Sequence, residues 1–155
     1  MTNAATISGL SSQPAFSAYA TAIQTVSVNT FTKVVLNAKD FDTASAFDAT
    51  TNYRFTPLVA GYYQINATIF YNANPISGLG YIAIYKNGSN YKTSAGSFQA
   101  NGYMPLNISS VVYFNGSTDY IELYTYQNSS LSANTQATSS GGNSVFMNGS
   151  MVRGA

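Results

Sequence analysis

Few residues in this sequence could do chemistry, and the carboxylates are the first to consider. Asp40, Asp42 and Asp48 lie close together and could offer oxygen ligands to Ca²⁺, which takes about six to eight of them. Their spacing matches no EF-hand loop, and aspartate is also a common loop residue whose side chain binds its own backbone. We interpret the three as structural and predict no metal, with a calcium site as the less favoured alternative.

Catalysis is restricted by what the sequence lacks. Its 155 residues include no His and no Cys, so it offers no Ser-His-Asp triad, no Cys nucleophile and no ordinary zinc site. Asp119 and Glu122 lie three apart on a predicted strand, so they point to opposite faces and cannot form a glycosidase pair. Asp119 is expected to stabilise the turn before its strand. We predict that the protein is not an enzyme and uses no cofactor.

The surface of this protein must be solvated mainly by amides and hydroxyls. Charged residues make up 7% of the chain, against roughly 25% in ordinary soluble domains, and the net charge is +1. The basic residues are spread along the sequence, so neither nucleic acid nor an anionic membrane is predicted as a partner.

The start of the chain, MTNAATISGLSSQPAFSAYA, does not predict a signal peptide, because it has no basic segment and no continuous apolar segment. Residues 55–85 are uncharged, but Pro57, Gly61 and Asn72 argue against a membrane helix there. The uncharged polar surface nevertheless suits a protein that works outside cells. A virion made in the host cytoplasm and released by lysis reconciles the two observations, and a leaderless export route is the open alternative.

Short strand signals, broken by Gly, Asn and Pro, follow one another after residue 13. The predicted strands are 15–22, 25–28, 32–36, 53–55, 61–71, 81–86, 89–94, 108–114, 119–127 and 144–153. The Asn87-Gly88 pair predicts a type I′ hairpin turn. Residues 1–13, small and polar, predict a flexible N-terminal arm, and residues 14–155 a single domain. Ten short strands in one domain predict an all-β antiparallel sandwich or jelly roll.

Alternation within the strands predicts what each face does. In residues 61–71, apolar side chains alternate with a polar, uncharged set that begins at Tyr62, so one face is buried and the other is free for a second copy of the protein. Residues 81–86, 108–114 and 119–127 place aliphatic side chains in the core and tyrosines outside. Many solvated tyrosines would forgo several kcal/mol at roughly 25 cal/mol per Å². A subunit interface is therefore favoured over scattered surface aromatics.

The order of these motifs resembles the complement C1q/tumour-necrosis-factor-like jelly-roll family. Matching segments are QPAFSA at 13–18, Phe31 and Asn37 separated by five residues, Phe55 to Ile65, YKNG at 85–88, the paired strands of 112–123 and the closing strand 147–152. The resemblance covers nearly everything from residue 13 to residue 153. Ile65 and Met147 stand where the family usually has Phe, and residues 38–47 look like an insertion.

The resemblance implies a ten-stranded antiparallel jelly roll that forms a non-enzymatic homotrimer and binds surfaces. We predict that the trimer interface contains Tyr62, Tyr63, Ile65, Val111, Tyr113 and Met151. Short, tyrosine-rich versions without Cys are similar to proteins of bacteriophage particles. We therefore predict a virion surface protein, either a capsid decoration (cement) protein or a fibre knob used in host attachment. The arm of residues 1–13 would bind other virion proteins.

A second function stays open for the loops. Residues 128–143 are small and polar and predict a long loop, and loops of that length are often functional. Its proposed contact residues are Asn128, Ser132, Asn134 and Asn143, and residues 38–47 form the other candidate loop. The alternative to a virion protein is thus a receptor- or glycan-binding adhesin module, with a host surface glycan as its partner.

Overall fold

The computed structural model describes residues 13–73, 77–98, 102–129, 133–139 and 141–155, and their regular structure is all β. The strands are β1 Ala15–Tyr19, β2 Thr25–Val26, β3 Thr32–Lys33, β4 Ala38–Asp42, β5 Phe47–Asp48, β6 Arg54–Phe55, β7 Gly61–Ala73, β8 Leu79–Lys86, β9 Ser89–Ser97, β10 Gly102–Phe114, β11 Ile121–Gln127, β12 Ala133–Thr135, β13 Thr138–Ser139, β14 Gly142–Asn143 and β15 Phe146–Gly154. Within these ranges no helix is long and apolar enough to cross a membrane.

The strands form two main sheets. The first sheet runs in the order β2, β12, β7, β15, β1, β4, and β10 pairs with β7 from end to end. The second sheet runs β5, β6, β11, β8, β9, and β3 also pairs with β11. Every pairing between the strands of these sheets is antiparallel, and β13 and β14 form a small separate hairpin. The predicted all-β antiparallel sandwich is confirmed.

The core lies between the inner faces of the two sheets. Aromatic rings fill one end: the Phe16 and Phe55 ring centroids are 4.1 Å apart, and Phe114 contacts both Phe55 (5.8 Å) and Tyr63 (5.1 Å). Aliphatic side chains of both sheets continue the core, among them Ile65, Ile69, Ile82, Ile84, Ile121 and Leu123. The predicted alternation is confirmed for the second sheet, since its aliphatic residues are buried and Tyr81, Tyr85, Tyr120 and Tyr124 are partly exposed.

Two tight turns join strands at the same end of the sandwich. Asn87 and Gly88 have φ values of 52° and 79°, the two positive angles that a type I′ turn needs, so the predicted hairpin between β8 and β9 is confirmed. Gly116 also has a positive φ of 72°, and a Cβ there would collide with the backbone of Val59 and Ala60. Glycine is therefore required at residue 116 for both conformation and space.

The predicted number of strands differs from the structure. Each of the ten predicted segments contains a strand, but the described residues hold five more: β4, β5, β12, β13 and β14. Residues 38–42 are no insertion loop, because β4 pairs with β1 at the sheet edge. The predicted loop 128–143 likewise contains β12, which pairs with β2 and β7. The arm of residues 1–13 stays a prediction, since residues 1–12 lie outside the described ranges.

Candidate functional site

The outward side of the first sheet is the candidate site, and we call it the uncharged face. It consists of Tyr62, Gln64, Asn66 and Thr68 on β7, Asn107, Ser109, Val111 and Tyr113 on β10, and Asn148 and Ser150 on β15. Registered pairs share one side of a sheet, so these residues lie side by side. Residues 61–73, 102–114 and 146–152 include no Asp, Glu, Lys or Arg. The side chains of these ten residues are therefore neutral, and the exposed Arg153, opposite Tyr62 in the register of β15 with β7, places one charge at that end of the face.

Three of the six predicted interface residues do not lie on this face. Tyr63 and Ile65 are 0% exposed and Met151 is 7% exposed, and all three belong to the core of the protomer. The prediction was wrong for them because neighbouring residues in a strand point to opposite sides, so Tyr62 and Tyr63 cannot both face a partner. Burial raises the pKa of Tyr63 to about 12, and its hydroxyl donates to the Val59 carbonyl at 2.9 Å.

The other three predicted residues form an exposed apolar cluster at one end of the uncharged face. Tyr62, Tyr113 and Val111 are 42%, 41% and 49% exposed, and the two tyrosine ring centroids are 5.2 Å apart. Val152 is also exposed, at a bulge in the pairing of β15 with β7. The structure thus brings these apolar side chains together on one surface, while their contact with a second protomer remains a prediction.

Amide and hydroxyl groups occupy the middle of the face and bind one another. Gln64 Nε2 donates to Ser109 Oγ at 2.8 Å, and Ser109 Oγ donates to Asn66 Oδ1 at 2.9 Å. The Asn66 amide continues to Asn148 Oδ1 at 3.3 Å. We call these four residues the polar belt. Because its members hold each other in place, the belt is a fixed pattern of donors and acceptors across β10, β7 and β15.

A second aromatic pair lies beyond the polar belt, toward the other end of β7. The Phe70 and Tyr103 rings stack with centroids 5.3 Å apart, and Tyr103 is 60% exposed. Tyr103 is opposite Asn72 in the register of β10 with β7. The face therefore has apolar side chains at both ends and neutral polar side chains between them. Sequence reasoning identified the Tyr62 end but missed the Tyr103 end, although Tyr103 occupies the alternate position that the period of two assigns to the same side.

The candidate metal ligands are used in local structure. Asp42 accepts hydrogen bonds from the Ala46 and Phe47 N–H groups at 3.0 Å each and pairs with Lys39 Nζ, also at 3.0 Å. Burial alone would raise the pKa of Asp42, but these contacts outweigh it and hold the pKa below its ordinary value. Asp40 accepts from Ser17 Oγ at 2.7 Å. Across the described ranges, no group of three or more His, Cys, Asp or Glu side chains converges on a possible metal position.

Asp48 and Asp119 stabilise turns. The N–H groups of Thr51 and Thr50 lower the pKa of Asp48, which accepts from both. Asp119 is 8% exposed, pairs with Lys86 Nζ at 2.9 Å and accepts from the Asn115 N–H at 3.1 Å. Burial by itself would raise the pKa of Asp119. The contacts with these partners lower it by more, so the pKa lies below its ordinary value. The predicted turn role of Asp119 is confirmed.

The predicted contact residues near the end of the chain lie on different elements. Asn128 is exposed after β11, and its Oδ1 accepts from the Leu79 N–H at 2.6 Å. Asn134 is exposed on β12 and accepts from Thr25 Oγ1 at 2.9 Å, while Asn143 is exposed on β14. Ser132 lies outside the described residues. The three described asparagines are accessible, but two of them belong to strands instead of one loop.

The chain resembles solved structures in its fold but matches no family model or curated protein in its sequence. The globular domain of zebrafish complement 1qA protein superimposes on it with a TM-score of 0.66 at 14% identity, covering 92% of this chain and 99% of that chain. Murine APRIL gives a TM-score of 0.64 at 10% identity, covering 90% and 99% of the two chains.

Eiger TNF from S. frugiperda gives a similar result, with a TM-score of 0.64 at 9% identity over 92% of this chain and 93% of that chain. At such low identity the likeness concerns the fold and not the function. The chain therefore has the jelly-roll fold of the C1q and tumour-necrosis-factor domains.

Proposed function

We propose that the protein is a non-enzymatic homotrimer whose subunits meet through the uncharged face. The supporting observation is the absence of charge from two whole strands of the first sheet and from most of a third. Residues 61–73, 102–114 and 146–152 carry no charge, and the charged residues of this sheet are Arg153 near the end of β15 and Lys39, Asp40 and Asp42 on the edge strand β4. Charged residues are depleted where a protein surface is buried in an interface. The first sheet is thus the side that faces partners, and the second faces solvent.

A threefold ring also needs a second contact surface on each subunit. Closed threefold interfaces are heterologous, so the uncharged face of one subunit meets a different part of the next. The described residues offer β10 for this role: it pairs with β7 alone, and it is 13 residues long without a charge. Long, flat, uncharged edges tend to pair with other chains unless they are covered. Burying the β10 edge against a neighbouring subunit would cover it.

The polar belt suits the middle of such an interface. Its amides are neutral, so burying them requires hydrogen bonds but no compensation of charge. Interfaces contain about one hydrogen bond per 100–200 Å², and the belt supplies donors and acceptors held in a fixed pattern. The apolar clusters around Tyr62 and Tyr103 would supply the buried area, and the belt would set the register between subunits.

For the biological role, we propose a bacteriophage virion surface protein, either a capsid decoration protein or a fibre knob. The support is compositional: 7% charged residues, no Cys, and a surface of tyrosines, amides and hydroxyls around a compact jelly roll. The arm of residues 1–13 would bind other virion proteins. The alternative is a glycan- or receptor-binding adhesin module, which the accessible Asn128, Asn134 and Asn143 favour.

The trimer is tested by measuring molecular mass in solution. Multi-angle light scattering of the full chain at micromolar concentration should give three times the 16.5 kDa protomer mass. A Val111→Asp variant should reduce the mass, because an unpaired carboxylate would be buried in the interface. Thr93→Asp, a similarly placed exposed site on β9 of the second sheet, is the control and should leave the mass unchanged. A wild-type protein of protomer mass would refute the proposal.

The virion role needs a separate test. Antibodies raised against the purified protein should label intact phage particles in electron micrographs if the gene is expressed during infection by the phage that encodes it. Labelling distributed over the capsid supports decoration, and labelling at the tail tips supports a fibre knob. Particles without label, alongside soluble protein in the lysate, would reject both and leave the adhesin alternative.

A further inference from the structure

The outward side of the second sheet carries a chain of five aromatic rings, which we call the tyrosine surface: Phe31, Tyr81, Tyr85, Tyr124 and Tyr126. Tyr85 and Tyr124 stack with centroids 3.9 Å apart. Phe31 joins Tyr85 (5.8 Å) to Tyr126 (5.0 Å), and Tyr126 meets Tyr81 at 5.4 Å. All five side chains remain accessible in part. In the trimer proposed above, this sheet faces solvent. Neither packing in the protomer core nor burial in the trimer interface therefore explains why five aromatic rings lie on it.

The hydroxyl groups of this surface are available to a ligand. Tyr126 donates to Asn29 Oδ1 at 3.0 Å, but the hydroxyls of Tyr81, Tyr85 and Tyr124 bind no side chain or backbone group among the described residues. Burial raises the pKa of Tyr85 and Tyr124, so these hydroxyls stay protonated at neutral pH and can both donate and accept. The surface thus combines ring carbon with three uncommitted neutral hydroxyls.

Charge around the tyrosine surface is balanced. Lys33 Nζ lies 2.5 Å from Glu122 Oε1 and 6.0 Å from the Tyr124 ring centroid. A protein partner that covered the sheet would remove this ion pair from water. The desolvation penalty of the two charges can exceed the attraction between them. A narrow sugar chain could cover the rings and leave the pair hydrated. The neutral surroundings also offer nothing that would select a charged ligand.

We propose that the tyrosine surface binds a neutral oligosaccharide. Sugar rings present C–H groups that pack on aromatic carbon, and hydroxyls that donate and accept as phenols do. Tyrosine with neighbouring Asn and Ser is a combination that recognition surfaces use repeatedly. This inference rests on the proposed function only in taking the second sheet to face outward from the trimer.

The test uses the full chain and three neutral hexasaccharides, of glucose, of mannose and of N-acetylglucosamine. Saturation-transfer NMR detects binding, and calorimetry gives the dissociation constant. Replacing Tyr81, Tyr85 and Tyr124 by Phe keeps the rings and removes only the hydroxyls. Each lost hydrogen bond should weaken binding roughly 3- to 10-fold. Tyr91→Phe, an equally conservative change at an exposed tyrosine of β9 outside the tyrosine surface, is the matched control and should bind as the wild type does.

The binding of the three hexasaccharides to the wild type and the variants supports or overturns the proposal. Saturable binding of one hexasaccharide that weakens in the Phe variants and not in the control supports the inference. Absence of binding at millimolar sugar, or equal weakening by Tyr91→Phe, overturns it. Light scattering on the same samples separates the two proposals: a monomer that binds sugar rejects the trimer alone, and a trimer that binds none rejects the tyrosine surface alone.

Discussion

Tyr62 and Tyr63 are neighbours on β7 with opposite surroundings, and replacing each by Ala separates assembly from folding. Tyr62 is 42% exposed on the uncharged face, and Tyr63 is 0% exposed in the core. A tyrosine removes about 150–250 Å² from water when fully covered, so roughly 60–100 Å² of Tyr62 remains for a partner to bury. At roughly 25 cal/mol per Å², that amounts to about 1.5–2.5 kcal/mol per subunit.

Three copies of the Tyr62→Ala change act on one trimer, so the free energy of association should weaken by about 5–7 kcal/mol. That corresponds to a trimer association constant roughly 10⁴-fold smaller. The unfolding free energy of the protomer should fall by only about 1 kcal/mol, because within the protomer the Tyr62 ring contacts the Tyr113 ring. Tyr63→Ala should instead lower the unfolding free energy by about 3–5 kcal/mol, the cost of a cavity left by a buried aromatic ring.

Sedimentation velocity over a dilution series measures the association of Tyr62→Ala, and urea unfolding followed by tyrosine fluorescence measures the stability of both variants. Tyr91→Ala is the control for association, because Tyr91 is 43% exposed on β9 of the second sheet, so its loss should leave the association constant unchanged. The reasoning is refuted if Tyr62→Ala dissociates at the same concentration as the wild type, or if Tyr91→Ala weakens association as much.

Three further predictions concern the protomer. The pKa of Asp48 in the folded protein is lowered from 3.8, so as the pH falls the unfolded chain binds a proton at this residue before the folded protein does. The free energy of unfolding should therefore decline below about pH 4. Asp48→Asn should flatten that decline, as measured by urea titrations at several pH values. Tyr71→Phe should cost about 1 kcal/mol in urea unfolding, because its buried hydroxyl bonds to Thr125 Oγ1 at 2.6 Å, and an unchanged midpoint would contradict this. Gly88→Ala should lower the unfolding free energy by about 1–2 kcal/mol, since its φ is 79°, whereas Gly154→Ala, with open space around it, should not.

Sequence patterns predicted the architecture because it depends on short-range signals. The period of two separates Ile82 and Ile84 from Tyr81 and Tyr85, and the Asn87-Gly88 pair marks the turn. These signals are local, so they can be read without knowing how distant parts of the chain pack. The order of motifs then pointed to the jelly roll, which the structural neighbours confirm.

The edge strands and the interface list could not be predicted as well. Residues 38–47 were interpreted as an insertion relative to the family, yet residues 38–42 form β4, and at a sheet edge its charged residues are tolerated and even protective. Tyr63 was placed in the interface because the family resemblance implies aromatic residues at the subunit contact, although the alternation of β7 had assigned it to the buried face. In the structure its ring contacts the core rings of Phe55 and Phe114.

The position of β15 has a consequence for folding during synthesis. This strand, Phe146–Gly154, lies between β7 and β1 but follows every other strand of the first sheet in chain order, so the middle of the sheet is filled after its neighbours have been synthesised. At about 5–20 residues per second, the residues between β7 and β15 take on the order of 5–15 s to synthesise, and during that time β1 and β7 lack their shared neighbour. The first sheet therefore stays incomplete until β15 has emerged from the ribosome, and its tyrosine-rich strands are accessible to chaperones during that interval.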